Sequence, residues 1–286
     1  MSPDTIAYQG VPGAFSEQAA RDFVEDAEPL ACPRFEDLFD AVSSGRARWG
    51  AVPIENTLAG SVHACYDLLA KHTVTVAAEA VLRISHALIA PRQVPLQDIR
   101  RVLSHPMALL QCERFFQENP GIEAVAVHDT AAAAQEVISG GRSDTAAIAS
   151  LRAAEVYGGV VLAEKLEDDP MNFTRFLLIT RPEERPAGVN SDSRPLKTSL
   201  LFRVQNRPAA LFEGLRPFAL RGINMTKIES RPVRGSRFEY LFYLDVVAPP
   251  GREKDLDGAV EALARCSTDL RRLGTYPAAA ETAAPL

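Results

Sequence analysis

The chain has 286 residues, 47% of them hydrophobic and 24% charged, the composition of an ordinary globular protein long enough for two or three compact units and able to bury about three quarters of its unfolded surface without staples. Its formal net charge of -6 excludes the concentrated basic face of a general nucleic-acid binder, while a small anionic substrate would need only a local cluster of donors. The four cysteines (Cys32, Cys65, Cys112, Cys266) form no CxxC pair and the five histidines no HxxxH or HxH spacing, so reduced thiols and no metal site are expected. The start MSPDTIAYQG lacks the pattern of a signal peptide, and no apolar run approaches the ~18 residues of a membrane span, so the expectation is a cytoplasmic protein with no membrane partner.

From the N-terminus, an apolar stretch over 5–9 runs into Gly10-Val11-Pro12-Gly13 and a helical pattern over 16–24, which reads as strand, glycine loop, helix. Further strands are expected at 49–53, 74–80, 83–89, 101–103, 124–127, 146–149 and 176–180, and helices at 35–43, 61–70, 106–117 and 130–138. Strands alternating with helices make a layered α/β region, whose ligands belong beyond the carboxyl ends of the strands. The stretch over 181–195, RPEERPAGVNSDSRP, is rich in proline, serine and charge and lacks periodicity, as a linker does. A second pattern follows: strand 198–204, helix 209–220, strands 224–232 and 238–247, a helix near 254–264 and a strand near 269–276. That order is βαββαβ, a ferredoxin-like unit. The closing PAAAETAAPL is expected to be a disordered tail.

Four segments carry polar chemistry. In Gly10-Val11-Pro12-Gly13-Ala14-Phe15-Ser16 the glycines let backbone approach a ligand and Ser16 fits a helix cap whose amides attract a carboxylate or phosphate; an ordinary βα turn is the plain alternative. The segment is not GxGxxG, and no acidic residue completes a dinucleotide fingerprint. Pro53-Ile54-Glu55-Asn56-Thr57-Leu58-Ala59-Gly60-Ser61-Val62 places Glu55, Asn56, Thr57 and Ser61 at a strand end, as a site or as turn chemistry. Ser104-His105-Pro106 fits a cap serine with a first-turn proline, and Gln111 falls two turns further on the same face; both reach one cleft, or they are a plain cap and a surface amide. In Met171-Asn172-Phe173-Thr174-Arg175-Phe176 a hydroxyl able to donate in a dry pocket adjoins a guanidinium able to clamp a carboxylate, unless the arginine is simply the exposed position of a strand. The preceding Asp168-Asp169 reads as a solvated turn.

Taken together, these segments resemble the prephenate dehydratase family. The matching residues are Tyr8-Gln9-Gly10 with Gly13-Ala14-Phe15-Ser16, Pro53-Ile54-Glu55-Asn56, Gly60-Ser61-Val62, Ser104-His105-Pro106 with Gln111-Cys112, and Asn172-Phe173-Thr174-Arg175-Phe176, in family order over 5–180. The C-terminal unit resembles an ACT domain through Asn206-Arg207-Pro208-Ala209-Ala210-Leu211 and Glu229-Ser230-Arg231-Pro232. No chorismate mutase pattern precedes Tyr8, so the resemblance is to the monofunctional form. It implies a catalytic region over 1–181 of two α/β subdomains around a cleft, similar to a type II periplasmic binding protein, then a linker over 182–196, an ACT regulatory domain over 197–276 and a tail over 277–286. It further implies a homodimer or homotetramer with L-phenylalanine as effector.

The implied reaction converts prephenate to phenylpyruvate with loss of carbon dioxide and water. Aromatisation drives it, so no metal, nicotinamide or pyridoxal cofactor is expected; the hard step is expelling hydroxide, which a donor to that oxygen eases. The resemblance implies Thr174 as the essential threonine. Ser104, Gln111, Asn56 and Glu55 join it in catalysis, and Arg175, Phe176, Ser16, Thr57 and Ser61 lie against substrate. Arg175 would grip the pyruvyl carboxylate, helped by amides at helix starts beside Ser16, Ser61 and Ser104. Effector contacts are implied at Ala209, Ala210, Leu211, Glu229, Ser230 and Arg231. Two positions depart from the family: Met107 replaces a common glutamine, and Ala209 replaces a glycine where backbone approaches the effector. Arogenate dehydratase, acting on the amino analogue, and a non-catalytic amino-acid sensor are the competing readings.

Overall fold

The computed structural model describes residues 4–184, 194–233, 235 and 239–279. Most of the expected linker (185–193) and tail (280–286), and Phe238 at the start of one expected strand, lie outside them. The chain divides into two compact units, one of Met1–Cys65 with Ala80–Phe176 and one of Tyr66–Glu79 with Leu177–Leu286.

The first unit contains two α/β lobes. The run Ile6-Ala7-Tyr8 makes β1 (Thr5–Gln9), buried between the parallel strands β2 (Glu28–Cys32) and β3 (Trp49–Asn56). Full burial on both faces is why its residues are apolar without alternation. Helices α1 (Phe15–Phe23) and α2 (Phe35–Ser43) are the connections. A two-residue strand β4 (Gly60–Ser61) folds back on β3; helix α3 (His63–Lys71) follows, and from Tyr66 on it is counted with the second unit. The sheet order is β2-β1-β3-β11-β5, where β5 is Thr75–Arg83 and β11 is Phe173–Thr180. The second lobe has the order β10-β6-β9-β7-β8, from β6 (Ala87–Ala90), β7 (Arg101–Ser104), β8 (Glu123–Ala126), β9 (Thr145–Ala149) and β10 (Val160–Ala163). Its helices are α4 (Pro106–Gln111), α5 (Glu113–Glu118), α6 (Thr130–Gly140) and α7 (Leu151–Tyr157).

The chain passes between the lobes twice, after β5 and before β11. The two crossings are zipped together: Ile84 N–H donates to the Asn172 carbonyl at 2.8 Å and Leu166 N–H to the His86 carbonyl at 3.0 Å. The lobes also meet at the glycine loop. Ser150 Oγ caps α7 by accepting from Ala153 N–H and donates to the Gly13 carbonyl at 2.6 Å. Gly13 has φ +88°, and a Cβ there would stand 2.7 Å from the Ala153 Cα, so only glycine fits. Across this junction Ala14, Ala131, Ala134, Ala149 and Ala153 form one tight core.

The second unit has the expected βαββαβ order: β12 (Leu196–Val204), α8 (Ala210–Leu220), β13 (Asn224–Pro232), β14 (Tyr240–Ala248), α9 (Glu253–Cys266) and β15 (Ser267–Pro277). The sheet is antiparallel in the order β13-β14-β12-β15. Leu200, Phe202 and Leu244 on one face pack with Phe218, Leu256 and Leu263 of the two helices. The opposite face meets residues 66–79, which sequence reasoning assigned to the N-terminal half. Tyr243 donates its hydroxyl proton to the Tyr66 carbonyl, Arg231 pairs bidentately with Asp67 at 3.0 Å, and Lys197 pairs with Glu79 at 2.6 Å.

Several expectations change in the structure. The helix expected over 106–117 breaks at Cys112 because the second crossing intrudes: Asp168 N–H takes the Gln111 carbonyl at 2.7 Å, while the Asp168 carboxylate accepts from Arg114 N–H at 3.1 Å and caps α5. The Asp168 carboxylate therefore has a structural partner and is not merely solvated. The strand expected over 83–89 is split, with β5 ending at Arg83 and β6 beginning at Ala87. Strands β2 and β10 and helix α7 carried too little pattern to be expected. Ser16 is not a cap; Ala14 holds the N-cap position of α1 and Gly13 N–H instead donates to the buried Glu17 carboxylate at 2.6 Å. Ser104 is not a cap either but the last residue of β7, and His105 caps α4 through Nδ1, which accepts from Met107 N–H at 3.2 Å. Ser61 lies in β4, before the helix. Among the described residues no helix is long and apolar enough to cross a membrane.

Candidate active site

One chain of side-chain hydrogen bonds runs from the end of β3 across both crossings to α4. It starts on backbone. Asn56 Oδ1 accepts from the Leu58 and Ala59 N–H groups at 2.9 and 2.8 Å. A backbone N–H can only donate, so this end of the Asn56 amide must be the oxygen. Its Nδ2 therefore faces the other way and donates to Thr174 Oγ1 at 3.0 Å and to Asn172 Oδ1 at 2.8 Å. Asn172 Nδ2 then donates to Gln111 Oε1 at 2.9 Å. The same Gln111 oxygen lies 3.1 Å from His86 Nε2. Asn172 is 0% exposed and Thr174 is 9% exposed, so these polar groups are satisfied by one another.

The elements explain the convergence. Asn172, the residue just before β11, and Thr174, the second residue of that strand, are two apart and present their side chains on the same side, where both meet Asn56 Nδ2. Asn56, the last residue of β3, lies on the neighbouring strand in the sheet order. Thr57 locks this junction: its hydroxyl donates to the Met171 carbonyl at 2.6 Å and accepts from Phe173 N–H at 2.9 Å. The break at Cys112 leaves Gln111 as the last residue of α4, with its side chain on the crossing. Burial, with Asp168 and Glu167 nearby, pushes the adjacent Cys112 thiol up to about 12, so no thiolate stands beside Gln111. Burial also pushes His86 below the ordinary imidazole value, against the opposing hydrogen bond to Gln111 and the Glu167 charge.

The structure thus brings together Asn56, Gln111 and Thr174, and adds two groups that sequence reasoning left out of the site. Asn172 had a usable signal, its spacing of two from Thr174. His86 had none, since only the fold brings it to Gln111. Other expected residues lie apart. Ser104 is fully buried and donates to the Ile148 carbonyl at 2.6 Å, tying β7 to β9. Phe176 is 2% exposed and belongs to the core. Arg175 leaves β11 on the face opposite Thr174 by strand alternation, which does not bring its guanidinium to the hydroxyl. Glu55 and Ser61 form a pair between β3 and β4, and Ser16 sits in the first turn of α1. The first turn of α4 has no amide to spare, because Pro106 lacks one, Met107 is bound by His105 Nδ1 and Ala108 by the His105 carbonyl.

In the second unit, Arg203, Leu241 and Arg231 share one row of the sheet. The β12–α8 turn with Ala209, Ala210 and Leu211 therefore emerges at the same end as Glu229, Ser230 and Arg231. Ala209 has φ +64°, a left-handed conformation that favours glycine, and Arg231 is committed to Asp67.

Comparison with known proteins agrees with this architecture. A family model described as prephenate dehydratase matches residues 6–184. The chain is 42% identical over 281 residues to arogenate dehydratase/prephenate dehydratase 2, chloroplastic, of Arabidopsis thaliana, covering 95% of this chain and 72% of that one. A crystal structure of prephenate dehydratase from Arthrobacter aurescens in complex with L-Phe has 31% identity and a TM-score of 0.86, covering 99% of this chain and 92% of that one. A structure described as GqqA, a novel type of quorum quenching acylases, has 36% identity and a TM-score of 0.83 and covers 96% and 98% of the two chains. With the family's pattern matched over more than half its length and the fold shared throughout, this chain belongs to the prephenate dehydratase family.

Proposed function

We propose that the Thr174 cluster is where this enzyme, a prephenate dehydratase of phenylalanine biosynthesis, expels the ring hydroxyl of its substrate. The observation that carries the assignment is the direction of the hydrogen bonds. Asn56 can only donate to Thr174, so the threonine oxygen accepts from the protein and its own proton is left over. A hydroxyl held this way is a preorganised donor for an oxygen that gains charge as its bond to carbon breaks. A threonine is too weak an acid to give up its proton outright, so it polarises and orients the leaving group, alone or through a water. The ring carboxylate departs as neutral carbon dioxide, and aromatisation supplies the driving force. Thr174→Ala should lower kcat by about 10²–10³ with the fold unchanged; full activity in this variant, measured by phenylpyruvate formation, rules the assignment out.

Arogenate is the second candidate substrate, because the Arabidopsis relative is named for both reactions. Specificity constants for the two substrates decide between them. An acylase reading, prompted by the acylase structure, needs a base beside the hydroxyl to make it a nucleophile. Among the described residues the partner of Thr174 is an amide donor, which favours the dehydratase.

The βαββαβ unit is assigned as an ACT regulatory domain over 197–276, following a catalytic region over 1–181. L-phenylalanine is its proposed effector, at the end of the sheet shared by Ala209–Leu211 and Glu229–Arg231; the similarity to a prephenate dehydratase bound to L-Phe supports this. A cytoplasmic homodimer or homotetramer is the proposed working form.

A further inference from the structure

We infer that His86 is a positioning residue for the dehydration: as a neutral ring protonated on Nε2 it donates to Gln111 Oε1 and, as the second donor beside Asn172, holds the Gln111 amide in its orientation. The inference rests on reading the Thr174 cluster as the active site. Two independent observations carry it. The first is the polarity of the chain of amides. The Leu58 and Ala59 N–H groups set Asn56, Asn56 sets Asn172, and Asn172 sets Gln111, whose oxygen is therefore the atom between Asn172 and His86. An oxygen at that place accepts, so the His86 Nε2 beside it must carry a proton. The second is at the other ring nitrogen. Among the described residues His86 Nδ1 is buried without a partner; a proton there would be an unpaired donor in a dry site, whereas a bare lone pair is tolerated more cheaply. Both observations select the same tautomer.

The surroundings hold the ring still. Phe15 of α1 packs edge-on against it with centroids 5.7 Å apart. The His86 backbone N–H donates to Glu167 at 2.8 Å, and the other Glu167 oxygen lies 3.7 Å from Arg83. Glu167 and, behind it, Arg83 are the charged groups on this side among the described residues; α1 and α4 present Phe15 and Gln111, which are neutral. With its oxygen taken by two donors, Gln111 keeps both Nε2 protons for a ligand. Loss of the His86 donor leaves Asn172 as the single donor on that oxygen, so the Gln111 amide is held by one hydrogen bond instead of two and is less firmly placed against the substrate.

The test uses the full-length chain. Long-range proton–nitrogen spectra of ¹⁵N-histidine protein at pH 8 should show one ring with protonated Nε2 and bare Nδ1, absent in His86→Gln. A ring protonated on Nδ1 overturns the inference. In kinetics, His86→Leu should lower kcat about 10-fold to 100-fold, the scale of a small misplacement, with a smaller change in KM. His86→Gln, which can place an amide donor near the same point, should recover most of it. In a Gln111→Ala background His86→Leu should add nothing, because it acts only through that amide. An undiminished loss there means His86 is merely structural, and the inference fails while the reading of Thr174 stands. If the unaltered chain turns over neither prephenate nor arogenate, that reading fails and takes this inference with it.

Discussion

At the scale of single residues, what matters in this site is which way each polar group points. Asn56 is the pivot, since it converts two backbone donors into a side-chain donor aimed at Thr174. Asn56→Asp keeps the shape and still accepts from Leu58 and Ala59, but a carboxylate cannot donate to Thr174. The threonine proton then turns inward to the new acceptor. Activity should fall nearly as far as in Thr174→Ala, and an active Asn56→Asp enzyme would refute the polarity argument. His86 gives a second prediction, in stability. Its value in the folded protein lies below the 6.5 of a free imidazole because the ring is buried. As pH falls below ~6.5 the unfolded chain takes up a proton that the folded one refuses, so stability falls with falling pH until the folded value is reached, at up to about 1.4 kcal/mol per pH unit. Denaturant midpoints measured from pH 7.5 to 5 should show this slope, and His86→Gln should flatten it.

At the scale of elements, local pattern and long-range contact divide the work. Helix α2 occupies 35–43 as its apolar spacing dictates, and strand β13 runs over 224–232 as expected. The break between α4 and α5 has no local cause; Asp168 makes it from 54 residues away in sequence. That break is also what ends α4 at Gln111. The glycine loop after β1 is a case where sequence and packing agree. Gly13→Ala forces an alanine to φ +88° and into the α7 backbone at Ala153, a cost of about 2–4 kcal/mol. A lowered thermal midpoint should accompany it, and an unchanged midpoint would show that the lobes do not close on this turn.

At the scale of the whole molecule, the proposal is a catalytic region read by a sensor. L-phenylalanine should lower activity and raise the thermal midpoint of the full-length chain, as any ligand that prefers one state does. Neither change would mean the sensor is not intact. Ala209 bears on this. Its left-handed backbone costs roughly 1–2 kcal/mol for a residue with a side chain. Ala209→Gly should therefore stabilise the chain by about 0.5–1 kcal/mol after the added freedom of glycine is counted, and removing the methyl group should strengthen the response to phenylalanine.

Sequence alone determined what depends on short-range order: most strands and helices of the layered region, the βαββαβ sequence of the second unit, and the motif set that points to the family. It also named Asn56, Gln111 and Thr174, through their match to the family's motifs rather than through any local pattern of their own. Only the tertiary structure decided that Ser104 and Phe176 are interior, that residues 66–79 group with the C-terminal unit, and that Asn172 and His86 complete the cluster. The reason is that a hydrogen bond has a direction and a partner in space. His86 and Gln111 are 25 residues apart and Asn56 and Thr174 are 118 apart, and no periodicity in the chain encodes which of them gives the proton.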